Sequence, residues 1–139
     1  MTLYFDTSAL IKLVVVGEGS ELAADLWETG HPAASSILVY PEGRAALAAA
    51  LRAGRLTADE HRMALRDFEA MRRELLQVGI DEPLAQHAGE LAGDLGLRGY
   101  DAVHLASALA LGAGTTFVTW DSDLRRAAMK SGCAVAPVS

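Results

Sequence analysis

The chain has 139 residues, 51% hydrophobic and 22% charged, which excludes a disordered chain and suits one globular domain over residues 1–139. Its formal charge of −6 is the wrong sign for broad electrostatic attraction to nucleic acid, so any such contact must be local. The lone Cys133 excludes an internal disulfide and reads as a small core residue.

The opening "MTLYFDTSAL" has neither a basic n-region nor a small-residue cleavage site. It reads as mature chain from a reducing cytoplasm. "TLYF" is a short buried strand, and "TSALIKLVV" after Asp6 is a helix. "SELAADLWETG" is a second helix closed by Gly30. "HPAASS" forms a second strand. A long helix from Ile37 to Ala53 follows, with Pro41 predicting a kink and Gly54 a stop. "TADE" at 57–60 is a capping box, and the helix behind it should bury Leu65, Phe68, Met71, Leu75 and Leu76 on one face. "LQVGI" is a weak third strand. "DEPLAQHAGELAGDLG" is a helix with proline in its first turn.

From Ala102 to Trp120 there is no charged residue. The stretch is long enough to resemble a membrane span, but Gly112 and Gly114 divide it into a buried helix and a buried strand, "TTFVT", so no membrane insertion is expected. "DSDLRRAAMKSG" is an amphipathic helix and "CAVAPV" a last strand. Strands separated by helices predict an α/β fold, a parallel sheet with helices on both faces. Chemistry in such sheets lies beyond the carboxyl ends of the strands.

Four acids fall near that edge. Asp6 follows the first strand, Glu42 lies early in the helix after the second, Asp101 opens the helix before the fourth strand, and Asp121 follows that strand. Singly, the three aspartates read as helix caps, and Glu42 as a solvated helix acid. Together they suggest something else. Two carboxylates about 4 Å apart repel by roughly 4 kcal/mol at an effective dielectric near 20. Such a cluster needs protons or cations, and hard oxygen ligands suit Mg²⁺ or Mn²⁺. His104, one helical turn after Asp101, reads as a packed or hydrogen-bonded helix residue.

The motifs "YFDTSAL", "SSILVYPE", "YDAVHLASAL" and "FVTWDSDL", in this order from Leu3 to about Val135, resemble the PIN-domain ribonucleases, in particular the VapC toxins of bacterial toxin–antitoxin pairs. The resemblance implies a three-layer α/β/α sandwich and an acidic site holding one or two Mg²⁺ or Mn²⁺ ions. By position, Asp6, Glu42, Asp101 and Asp121 match the four acids of the family. Thr7, Ser8 and Thr119 match hydroxyls expected to hydrogen-bond those carboxylates or metal-bound water. "DSD" also offers Asp123, either a ligand to a second ion or a solvated first-turn acid.

The resemblance implies endonucleolytic hydrolysis of RNA, a small antitoxin protein as partner, and a homodimer. Bound divalent ions would offset much of the −6. RNA contacts would then fall to local arginines, Arg44 and Arg52 on the Glu42 helix and Arg125 and Arg126 after Asp121, unless these are solvated helix faces. Three rival readings are a catalytically inactive acidic binding domain, a receiver-type phosphoacceptor and a Toprim-like nuclease. A receiver needs an acid pair after its first strand and a late lysine, and a Toprim strand should lead to glutamate. Only the first rival tolerates the pattern as it stands.

Overall fold

The structure is a computed structural model and describes residues 1–138. Strand β1 (Thr2–Phe5) leads to helices α1 (Thr7–Val14) and α2 (Ser20–Trp27). Then come β2 (Ala33–Ser36), α3 (Val39–Arg52), α4 (Ala58–Glu74) and β3 (Leu76–Val78). The chain continues through α5 (Glu82–Leu95), α6 (Gly99–Ala110), β4 (Thr115–Val118), α7 (Ser122–Lys130) and β5 (Ala134–Ala136). All neighbouring strands pair in parallel, in the order β3-β2-β1-β4-β5.

The strand period of two sorts the core into two layers. Leu3 and Phe5 of β1 face one side, where they pack with Leu10 of α1, Leu47 of α3 and Phe68 of α4. Tyr4 faces the other, with Phe117 of β4, Leu105 of α6 and Leu124 of α7. The rings of Tyr4 and Phe117 stack at 5.3 Å. The sheet is therefore the middle layer of an α/β/α sandwich, as the sequence predicts. Among the described residues no helix is long and apolar enough to cross a membrane.

Local chemistry fixes the element ends. Thr57 and Glu60 complete the capping box of α4. Asp81 caps α5, with Pro83 in its first turn. Gly96 ends α5 at φ 66°, a left-handed conformation that glycine adopts without steric cost.

Three expectations need correction. The helix carrying Glu42 starts at Val39 rather than Ile37 and runs unbroken to Arg52. Pro41 thus falls in its first turn, where the missing N–H has no helical partner to lose, and no kink is needed. Leu76 does not join the face of α4. It opens β3 at the sheet edge and is 56% exposed. Cys133 is half-buried rather than a core residue.

Candidate active site

The sheet order places the site. The chain moves outward from β1 through β2 to β3, then returns to place β4 on the other flank of β1. The carboxyl ends of β1 and β4 therefore border a switch in strand order, where a crevice opens. Asp6 leaves β1 at this point and Asp121 leaves β4.

Both aspartates are helix caps. Asp6 Oδ1 accepts from Ala9 N at 2.9 Å, capping α1, and from Ser8 Oγ at 2.7 Å. Its Oδ2 accepts from Thr119 Oγ1 at 2.5 Å. Thr119 Oγ1 in turn accepts from Asp121 N at 3.0 Å, so one hydroxyl ties the two strand ends together. Asp121 Oδ1 accepts from Asp123 N and Leu124 N and caps α7. Asp6 is only 3% exposed, and burial pushes its carboxyl above the usual carboxylate range despite these donors.

Glu42 stands in the first turn of α3. Its Oε1 accepts from Thr7 Oγ1 at 2.6 Å and pairs with His104 Nε2 at 2.7 Å. Partial burial would raise its carboxyl, but the His104 and Thr7 hydrogen bonds and the nearby charge of Arg98 outweigh it and hold the group below the usual range. His104 is buried on α6, and its Nδ1 lies 2.7 Å from Tyr4 Oη. Burial keeps the Tyr4 phenol protonated. A consistent pattern follows: Tyr4 donates to Nδ1, and Nε2–H donates to Glu42. Tyr4, His104, Glu42 and Thr7 form a chain from the core to the sheet edge.

Asp101 does not cap α6. Arg98 occupies the cap position, with no side-chain cap bond, and donates from Nε to Asp101 Oδ2 at 3.2 Å. Partial burial pushes the Asp101 carboxyl up; Arg98 opposes that shift, and the like charge of Asp121 adds to it. Hydrogen bonds thus tie Asp6 to the Asp121 backbone through Thr119, and Glu42 to α1 through Thr7 and to α6 through His104.

As placed, no three His, Cys, Asp or Glu side chains among the described residues come together as a group that could hold a metal ion. The donors the edge does offer are carboxylate oxygens, the hard ligands that suit Mg²⁺ or Mn²⁺. Both nitrogens of His104 are engaged, which leaves carboxylate oxygens as the available ligands. Mg²⁺ usually keeps several waters and takes one or two carboxylates rather than a protein cage. Asp6 adds a buried carboxylate whose ionisation calls for a nearby positive charge. A surface groove at the β3 edge, lined by Val78, Ile80, Pro83, Leu84 and His87, includes none of these acids.

The remaining candidates lie elsewhere. Asp123 is exposed and pairs with Arg126 on the surface. Arg44 donates to Tyr40 Oη and lies 3.6 Å from Glu69. Arg52 is exposed at the far end of α3, roughly 15 Å along the helix from Glu42. Arg125 binds the carbonyls of Thr119 and Pro137, clamping the β4 end to the chain beyond β5. The sequence reading missed Arg98 and Tyr4, and it gave His104 a packed or hydrogen-bonded role without naming Tyr4 and Glu42 as its partners. The signals were present in the one-turn spacings Arg98-x-x-Asp101 and Asp101-x-x-His104, and in the alternation that turns Tyr4 toward α6.

The PIN domain family model matches residues 3–130. Ribonuclease VapC49 of Mycobacterium tuberculosis is 49% identical over 135 residues, covering 96% of this chain and 94% of that protein. Two solved structures share the fold. PAE2754 from Pyrobaculum aerophilum has TM-score 0.69 and 23% identity, covering 97% of this chain and 92% of that one. VapBC2 from Rickettsia felis, bound to a DNA fragment from its promoter, has TM-score 0.66 and 15% identity, covering 97% of each chain. With a family match over nearly its whole length and a half-identical relative, this chain belongs to the PIN-domain family, among the VapC ribonucleases.

Proposed function

We propose that this PIN domain, residues 1–139, is a divalent-metal-dependent endoribonuclease, the toxin of a toxin–antitoxin pair, acting in the cytoplasm. What supports the reading is the hydrogen-bond network at the sheet's switch point, which links Asp6 to Asp121 through Thr119 and Glu42 to Thr7 and to His104 on the Asp101 helix. Two of these acids are held by hydroxyls and one by a buried histidine. Kinship to VapC ribonucleases supplies the substrate class.

The four carboxylates would hold one or two Mg²⁺ or Mn²⁺ ions. When bound, such an ion supplies Lewis-acid charge for the phosphodiester and makes water more acidic. The chain's part is positioning. Ser8, Thr119 and Ala9 N fix both oxygens of Asp6. Thr7 and His104 occupy Oε1 of Glu42, which leaves Oε2 for other work. Asp121 has one oxygen committed to capping α7 and a second outside that cap. The open edge admits a polymer, and a splayed single strand suits it better than a duplex.

The VapC kinship also supports a small antitoxin partner and a homodimer. The test is cleavage of single-stranded RNA in Mg²⁺ by wild type and by Asp101→Ala. Metal-dependent internal cuts, lost on chelation and in Asp101→Ala, are expected. Cleavage that survives both, or soluble wild type that cuts no RNA in Mg²⁺ or Mn²⁺, would overturn the reading.

A further inference from the structure

Among the arginines considered as RNA contacts, Arg44 is held by Tyr40, Arg125 by two backbone carbonyls, Arg126 pairs with the exposed Asp123, and Arg52 stands far along α3. Arg98 is placed differently. It immediately precedes α6, and its Nε is 3.2 Å from Asp101 Oδ2. Its guanidinium lies 4.9 Å from the centroid of the Tyr100 ring. The Arg98 side chain is 66% exposed and Tyr100 is 43% exposed. The Arg98 charge also acts on Glu42. It is thus a solvent-accessible cation at the mouth of the acidic edge, beside an exposed aromatic face.

Resting on the ribonuclease reading above, we propose that Arg98 is an exchangeable phosphate clamp. It holds Asp101 in the free protein and moves to a backbone phosphate of bound RNA, while Tyr100 stacks on a neighbouring base. An exposed ion pair is weak enough to exchange. A divalent ion and a guanidinium compete for the same carboxylate, so a cation at Asp101 frees Arg98. The freed fork matches phosphate geometry in a way that lysine does not. Tyrosine offers a stacking face to any base, which binds a single strand without demanding a sequence.

The exchange predicts that one substitution moves two affinities in opposite directions. Arg98→Gln removes the competitor at Asp101 and the contact to phosphate together. Binding of Mn²⁺, read from free Mn²⁺ by electron paramagnetic resonance, should tighten about threefold. KM for a short single-stranded oligoribonucleotide should rise about tenfold, a loss near 1.4 kcal/mol, with kcat little changed. Arg98→Lys should return Mn²⁺ affinity toward wild type and recover only part of KM. Tyr100→Leu should raise KM and leave Mn²⁺ affinity unchanged. Arg62→Gln, whose guanidinium pairs with Asp59 on the exposed start of α4, is the charge-matched control and should alter neither.

Both shifts in Arg98→Gln support the clamp, and failure of either overturns it. Weaker Mn²⁺ binding in Arg98→Gln also overturns it, because Arg98 would then be supporting Asp101 rather than competing for it. Failure of the underlying reading looks different: wild type itself would neither bind Mn²⁺ nor cleave RNA.

Discussion

Asp6 sits beneath two hydroxyls and the first turn of α1, and its burial works against its charge. Its raised pKa means that the folded state holds a proton more tightly than the unfolded chain. The associated stability is complete below the ordinary carboxylate range and is lost as pH rises through the raised value. Asp101 acts in the same direction. Glu42 is opposite: its contribution is present above the ordinary glutamate range and disappears as pH falls through its lowered value. The melting temperature, followed from neutral pH into acid, should therefore pass through a maximum. Asp6→Asn should raise it near neutrality and flatten the descending limb on the alkaline side. If Asp6 is a metal ligand, as proposed, the same variant should lose more than about 100-fold in RNA cleavage, since a ligand costs at least what its supporting shell does. A lower melting temperature for Asp6→Asn at neutral pH would contradict this account. Tyr4→Phe strands His104 Nδ1 and should cost about 1–3 kcal/mol in denaturant unfolding. It should also slow cleavage about tenfold through Glu42. The acids were legible because charges interrupting apolar runs are conspicuous. The supports were not: a tyrosine in a strand or an arginine before a helix reads the same whether it packs, caps or positions.

At the scale of elements, α3 and α4 determine where Glu42 stands. Gly43, its neighbour, is buried against the Phe68 ring, and a Cβ there would meet Phe68 Cε1 at 2.6 Å and Cε2 at 2.9 Å. Phe68 cannot readily yield, because Tyr40 stacks on it at 6.2 Å and the core surrounds it. Gly43→Ala should destabilise the fold by about 1–3 kcal/mol in a denaturation midpoint and lower cleavage by displacing Glu42. Unchanged stability would show that the two helices can part at little cost. Most elements were readable from caps and breakers, as with Thr57, Asp81 and Gly96. The errors came where two rules competed. Pro41 signals a kink inside a helix but tolerance in a first turn, and a shift of two residues in the start decides between them. Leu76 fits the helical period of α4 until β3 pairs with β2 and claims it.

At the scale of the molecule, function depends on strand order. Alternating strands and helices identify a parallel sheet, yet they do not reveal that β1 lies between β2 and β4. That order sets the ends of β1 and β4 side by side, so that Asp6 and Asp121 leave neighbouring strands; in the ribonuclease reading, divalent ions held there would offset part of the net charge of −6. The most direct test is anomalous scattering at the manganese edge from crystals soaked in Mn²⁺. A peak bounded by Asp6, Glu42, Asp101 and Asp121, absent in Asp6→Asn crystals, is the predicted result. Manganese bound only at surface carboxylates, with nothing at the β1–β4 switch point, would contradict it.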